Sequence, residues 1–117
     1  MNRRLILLTI FSLLPAMAVA WGTREGDERL SATALRAALV GQVLTFHDDG
    51  QSRFYGDGRY SYTYGQGGIA YGHYAINDDG TVCIGFVNGA RRCDLYVRNA
   101  ARLVLITEEG DRFPIRP

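Results

Sequence analysis

The sequence predicts a mainly β fold: an antiparallel β-meander forming a curled sheet or small open barrel, with one short N-terminal helix. Three observations point there. From Gln42 onward apolar and polar residues alternate with a period of two, as on a strand with one buried face. The dipeptides Asp49-Gly50, Asp57-Gly58, Asp79-Gly80 and Asn88-Gly89 punctuate that text with residues that tolerate positive φ in tight hairpins. Ahead of it lies a single helical stretch, "LSATALRAALVGQ". Short connections make neighbouring strands antiparallel, and the helix is expected to plug one end or face of the curled sheet.

The chain of 117 residues opens with Arg3 and Arg4, an apolar run from Leu5 to Leu14, then Pro15 and Ala18-Val19-Ala20. A positive start, a short apolar core and an A-x-A end make a secretory signal peptide over residues 1–20. Cleavage is expected after Ala20, with Ala16-Met17-Ala18 offering a second site. The run is shorter than the roughly 20 apolar residues that span a bilayer. The mature chain is therefore expected to be periplasmic or secreted and soluble, without membrane insertion. Losing Arg3 and Arg4 leaves eleven bases against twelve acids in the mature chain, a net charge of −1. That balance argues against nucleic acid as a partner. Residues 21–29, "WGTREGDER", are charged and lack an apolar period, so they read as a flexible lead to one small domain over residues 30–117.

Ser31 is a good N-cap, Leu35 and Leu39 share one face, and Gly41 can close the helix, which sets its span at Ala32 to Val40. So short a helix needs its leucine face packed on something. Strands are expected at Val43–His47, Ser52–Tyr55, Arg59–Tyr64, Ile69–Ile76, Thr81–Val87, Arg91–Arg98, Arg102–Thr107 and Arg112–Ile115.

Cys83 and Cys93 are an even pair in a chain bound for an oxidising compartment, so a disulfide is expected. Hairpin geometry tests it. A two-residue Asn88-Gly89 turn sets Cys83 opposite Asp94, whereas a three-residue Val87-Asn88-Gly89 loop with Gly89 left-handed sets Cys83 across from Cys93. The bridge therefore predicts the bulged loop.

"GDGRYSYTYGQGGIAYGHYA" raises the question of whether its rings are core or binding surface. Tyr60, Tyr62 and Tyr64 share a strand face. A bulged Gln66-Gly67-Gly68 loop sets Tyr62 opposite Gly72 and Tyr60 opposite Tyr74, with Ile76 on the same face, which makes that face the core. Tyr71 and His73 then lie outside with Arg59. A two-residue Gln66-Gly67 turn instead sets Tyr62 opposite Tyr71 and Tyr60 opposite His73, a ring cluster suited to a sugar or other flat ligand. Packing statistics for strand tyrosines favour the first register.

Few constellations suggest chemistry. His47-Asp48-Asp49 and His73 could serve metal or acid–base work, but turn chemistry explains the aspartates better. Asp78-Asp79-Gly80 lacks the rest of a calcium loop. The serines have no nearby histidine, and the cysteines are not spaced as C-x-x-C. Arg91-Arg92 reads as a solvated hairpin end. No metal, cofactor or catalytic residue is expected.

The run "LSATALRAALVG", an F-x-x-DG hairpin, "YGHYAI", "DDGTVC" and "RRCDLYV" resembles a loose group of small secreted proteins of proteobacterial type with no assigned function. In that group a helix precedes a β-meander, and a G-x-W-x-V strand is followed by D-G-x-x-C and a second cysteine. Gly72, Tyr74 and Ile76 fall on the first motif, with Tyr74 in place of the tryptophan, and Cys83 and Cys93 on the cysteines. The resemblance covers about Leu30 to Val97, implies a shared fold and disulfide, and supplies no catalytic residues.

Three functions follow as expectations. The first is an exported, non-enzymatic β-domain that binds a periplasmic or envelope protein, with a tightly packed interior and no cluster of perturbed ionisable groups. The second is a lipocalin-like or carbohydrate-binding module that takes a small ligand on Tyr60, Tyr62, Tyr71 and His73, or at an open barrel mouth lined by rings. The third is an enzyme built on His47, His73 and nearby aspartates, which requires those histidines to be close.

Overall fold

The computed structural model describes residues 21–117. The expected signal peptide lies outside the described residues. Nine strands and one helix follow in order: β1 (Glu28–Arg29), α1 (Ala32–Leu39), β2 (Val43–Thr45), β3 (Gln51–Phe54), β4 (Arg59–Thr63), β5 (Ile69–Ile76), β6 (Thr81–Phe86), β7 (Arg91–Asn99), β8 (Arg102–Ile106) and β9 (Arg112–Pro114). Strands β2 to β9 form an antiparallel meander in sequence order, and β1 pairs with β7. The sheet curls until its two edges touch, where Phe46 bridges Ile115 and the Arg116 N–H donates to the Thr45 carbonyl. The fold class read from the sequence is the one observed.

One hairpin design is repeated. In six of the seven hairpins a three-residue loop closes the strands, its last residue left-handed: Asp49, Gly58, Gly67, Gly80, Gly89 and Gly110. In four of them the middle residue accepts a backbone N–H two positions on: Asp48 from Gly50, Asp57 from Arg59, Asp79 from Thr81 and Asn88 from Ala90. Asp49-Gly50 is the exception to the dipeptide reading. Asp49 takes the left-handed place at φ 71°, and Gly50 directly precedes β3. Gly50 is needed there because a Cβ would overlap the Tyr62 hydroxyl.

The Val87-Asn88-Gly89 loop sets Cys83 opposite Cys93, and the two are joined by the expected disulfide. For β4 and β5 the structure takes neither register considered. The loop is Gly65-Gln66-Gly67, one residue earlier, so Tyr60 faces Gly72, Tyr62 faces Ala70, Ser61 faces Tyr71 and Arg59 faces His73. Two contacts favour this frame. Gly65 packs so closely on the Asp48 carbonyl that only glycine fits, and Gly72 falls between Tyr60 on one side and Phe86 on the other. Those two rings meet edge to face across it, with centroids 6.1 Å apart. The faces are those of the core register: Tyr60, Tyr62 and Tyr74 point inward, Tyr71 and His73 outward.

Helix α1 begins at Ser31, whose Oγ accepts the Ala34 N–H at 3.1 Å, and Gly41 leaves it at φ 76°. Leu35 and Leu39 are fully buried among Leu30, Phe54, Tyr60, Val82, Ile84 and Tyr96. The helix packs on β5, Val40 bridges Phe54, and the Leu30 carbonyl abuts Gly80. It therefore closes the barrel end that carries the β3–β4 and β5–β6 turns. The loops between β2 and β3, β4 and β5, β6 and β7, and β8 and β9 surround the other end.

The lead is not a free tail. Trp21 packs on Leu95, Val97, Val104 and Ile106, which form a second apolar cluster on the outer face of β7 and β8. Asp27 takes both guanidinium nitrogens of Arg112, at 2.8 and 2.9 Å, and β1 adds Glu28 and Arg29 to the edge of β7. Charge without an apolar period thus marked a latch rather than a flexible segment.

Candidate functional site

The helix-free end of the barrel holds a cavity of about 200 Å³ lined by Phe46, Asp48, Tyr62, Arg92, Leu105, Thr107 and Phe113. Register explains the membership. Phe46 continues β2 and Tyr62 lies on β4; Leu105 and Phe113 face each other across β8 and β9; Arg92 on β7 sits opposite Ile84. All share the inner face because inner positions alternate along every strand. Phe46 and Tyr62 are tilted rings 6.3 Å apart, and Tyr64 meets Tyr62 edge to face at 5.0 Å.

The polar centre is Arg92. Its Nε donates to Asp94 Oδ2 at 2.9 Å, and its side chain remains 42 % exposed while that of Asp94 is 1 % exposed. No acceptor among the described residues takes the terminal guanidinium nitrogens of Arg92. Asp94 Oδ1 is buried without a partner among the described residues. Burial pushes the Asp94 carboxyl above the ordinary carboxylate value; Arg92 opposes that rise, and Glu108 and Glu109 add to it. Burial also works against the charge of Arg92, but Asp94, with Tyr60 and Tyr96 adding to it, raises that pKa overall. Tyr60, which shares a 2.8 Å hydrogen bond with Ser52 Oγ, Tyr62 and Tyr96 are all held above the ordinary phenol value by burial. The three phenols are raised by burial as in any packed core, so Arg92 and Asp94 are the pair here whose shifts involve a charged partner directly.

Of the ring residues singled out in the sequence, the structure brings Tyr60 and Tyr62 to the interior, Tyr60 buried in the core and Tyr62 at the cavity. Tyr71, 55 % exposed, and His73 stand on the outer face, His73 between Arg59 and Gly85. His47 lies in the β2–β3 loop near the Thr63 end of β4, and His73 pairs with the Arg59 end, so the length of that strand separates them. Asp48 and Asp79 accept turn N–H groups, and Asp79 also takes the Thr81 hydroxyl at 2.6 Å. Among the described residues no group of three His, Cys, Asp or Glu side chains is placed to hold a metal.

Arg91 and Arg92 are both exposed, as a hairpin end would have them; what that reading missed is that Arg92 lies on the inner face and bonds Asp94. The signal was present in the cysteine register: once Cys83 faces Cys93, Arg92 must share the face of Ile84 and Asp94 that of Val82. Phe46, Leu105 and Phe113 carried no such signal, since only closure of the barrel brings β2 beside β9.

A second cavity, of about 340 Å³, opens where Leu44, Leu103 and Ile115 meet Arg98, Arg102 and Arg116. It has no aromatic wall, and Arg116 is already held by Asp49 at 2.7 Å and by the His47 carbonyl. No known protein family, curated protein sequence or solved structure matches this chain. No helix among the described residues is long and apolar enough to cross a membrane.

Proposed function

We propose that the protein is an exported, non-enzymatic binding domain that holds a small ligand in the ring-lined open end of its barrel, in the manner of a lipocalin. The observation that carries the reading is the cavity itself: three rings, Phe46, Tyr62 and Phe113, around a half-exposed guanidinium that rests on a buried carboxylate. A helix closing one end and loops framing the other make a cup, and cups of this kind bind ligands at the mouth. Of the ring residues read from the sequence, Tyr62 lines this cavity, Tyr60 lies in the core, and Tyr71 and His73 stand on the outer face. An acid–base enzyme on His47 and His73 has no support, because β4 lies between them. Export rests on the signal-like residues 1–20 and is in keeping with the disulfide.

The test is an amide and side-chain NMR titration of the disulfide-bonded protein against a library of small polar aromatics and sugars. Shift changes confined to Phe46, Tyr62, Arg92 and Phe113 are expected. Changes confined to Tyr71, His73 and Arg59 would move function to the outer face and restore a protein or envelope partner as the better reading.

A further inference from the structure

The lining of the mouth specifies a ligand class. We infer that the cup takes a free α-amino acid with an apolar side chain, its carboxylate on Arg92, its ammonium on Asp48 and its side chain among Phe46, Leu105 and Phe113. This rests on the reading of the mouth as a ligand site.

The inference follows from what the cavity offers and what it leaves unmet. Arg92 commits only Nε to Asp94, so its terminal nitrogens present the planar fork that matches a carboxylate. Asp48 commits Oδ1 to the Gly50 N–H at 2.9 Å and keeps its other oxygen free. Arg92 and Asp48 line one cavity, yet no ion pair joins them. Two opposite charges that line one cavity without pairing offer a ligand with both charges a contact at each end. An anion alone would meet Arg92 but crowd Asp48 and the nearby Glu108 and Glu109, which already act on Asp94. A cation alone would leave Arg92 unmatched. A zwitterion satisfies both and adds no net charge to an acidic rim.

Size and wall chemistry agree. About 200 Å³ lies below the roughly 300–1,000 Å³ of drug-sized sites, so the occupant is compact. Its remaining wall is apolar except for the Tyr62 hydroxyl and Thr107, whose Oγ accepts the Asp111 N–H at 3.1 Å and whose hydroxyl proton is free to donate. The Asp94 carboxylate beneath Arg92 holds the guanidinium in place, as a positioning group.

Calorimetry on the disulfide-bonded protein with L-phenylalanine and two half-ligands, 3-phenylpropanoate and phenethylamine, tests this directly. Phenylalanine is expected to bind at least tenfold more tightly than either half-ligand. Arg92→Gln should erase its advantage over phenethylamine, and Asp48→Asn, which keeps the Gly50 hydrogen bond, its advantage over 3-phenylpropanoate. Equal binding of all three compounds to the native protein, with NMR shifts at the mouth, would overturn the zwitterion and leave the cup standing. Tighter binding of one half-ligand than of phenylalanine would overturn it as well. If none of the three binds while other small molecules shift the mouth residues, the amino acid is wrong and the cup is right. If nothing shifts those residues, both readings fall. The comparison among ligands uses the native chain, so it holds even if a variant fails to fold.

Discussion

Two aspartates on opposite faces of one sheet are buried beside an arginine, and they are built to different ends. Asp27, on the outer face, receives two bonds from Arg112, one from the Asn99 amide at 2.8 Å and one from the Arg24 N–H at 2.7 Å. Its carboxyl is held well below the usual carboxylate range, chiefly by the Arg112 hydrogen bonds, with Asn99 and Arg24 assisting against burial. Asp94, on the inner face, receives one bond from Arg92 and keeps an oxygen with no partner among the described residues, so burial wins and its carboxyl rises. A fully met buried charge fixes a structure; an under-met one beside a cavity has capacity left for something else.

The largest effect should come from breaking the satisfied pair. Arg112→Ala leaves the Asp27 carboxylate, 2 % exposed, without its main donors and loosens the Trp21 cover over Leu95 and Val97. A loss of about 3 to 5 kcal/mol in urea unfolding is expected, as for other buried pairs deprived of one partner. A loss below about 1 kcal/mol would mean that the latch is a surface ornament, as the sequence reading of residues 21–29 implied.

That misreading shows where sequence stops being informative. Hairpin turns are local, so Asp57-Gly58, Asp79-Gly80 and Asn88-Gly89 could be read directly, and with them the strand order and the cysteine register. The β4–β5 register was not legible. Gly65, Gly67 and Gly68 permit several loops of nearly equal local cost, and the choice was made by Asp48 pressing on Gly65 and by two rings meeting over Gly72. Those are contacts between separate hairpins. Asp27 meets Arg112 across 85 positions, and no local pattern announces such a pairing. The candidate site was half legible. Tyr62 was flagged by its ring and Arg92 could have been placed inside by its neighbour Cys93, whereas Phe113 enters only because the curled sheet closes on itself.

The disulfide gives the next effect in size, because it pins the register on which the inner pair depends. Replacing both Cys83 and Cys93 by serine should cost about 2 to 3 kcal/mol on the chain-entropy account of a loop this short. It should leave Asp27 and Arg112 paired, since they do not involve β6. Comparing melting of the reduced and oxidised protein checks this. An unchanged midpoint would mean that the Val87-Asn88-Gly89 loop alone sets the register.

The inner pair should yield less when broken. Arg92→Gln strands Asp94, but a carboxyl already raised by burial can take a proton and escape the charge. A loss of about 1 to 2 kcal/mol at neutral pH, small beside that of Arg112→Ala, is expected. Asp94→Asn, which removes the buried charge, should stay within about 1 kcal/mol of the native protein, with either sign. A loss matching that of Arg112→Ala would erase the distinction between the two pairs and make Asp94 a structural residue.

The finest test is the direction in which each pair responds to pH. The ordinary carboxylate value is 3.8, and Asp27 lies below it when folded. Its contribution is therefore complete above about pH 4 and is lost as the pH falls further, because the unfolded chain takes up the proton first. Asp94 lies above that value when folded, so the folded chain takes up its proton first. Its burial is cheapest at low pH and weighs more against folding as the pH rises through its folded pKa. Replacing Asp27 by Asn should thus flatten the acid limb of the stability curve, and Asp94→Asn the limb just above pH 4, where the variant should gain on the native protein as the pH rises. Urea midpoints from pH 2.5 to 7 on the three proteins would read both slopes. Opposite slopes follow because four donors reach Asp27 and outweigh its burial, whereas one reaches Asp94 and burial wins there.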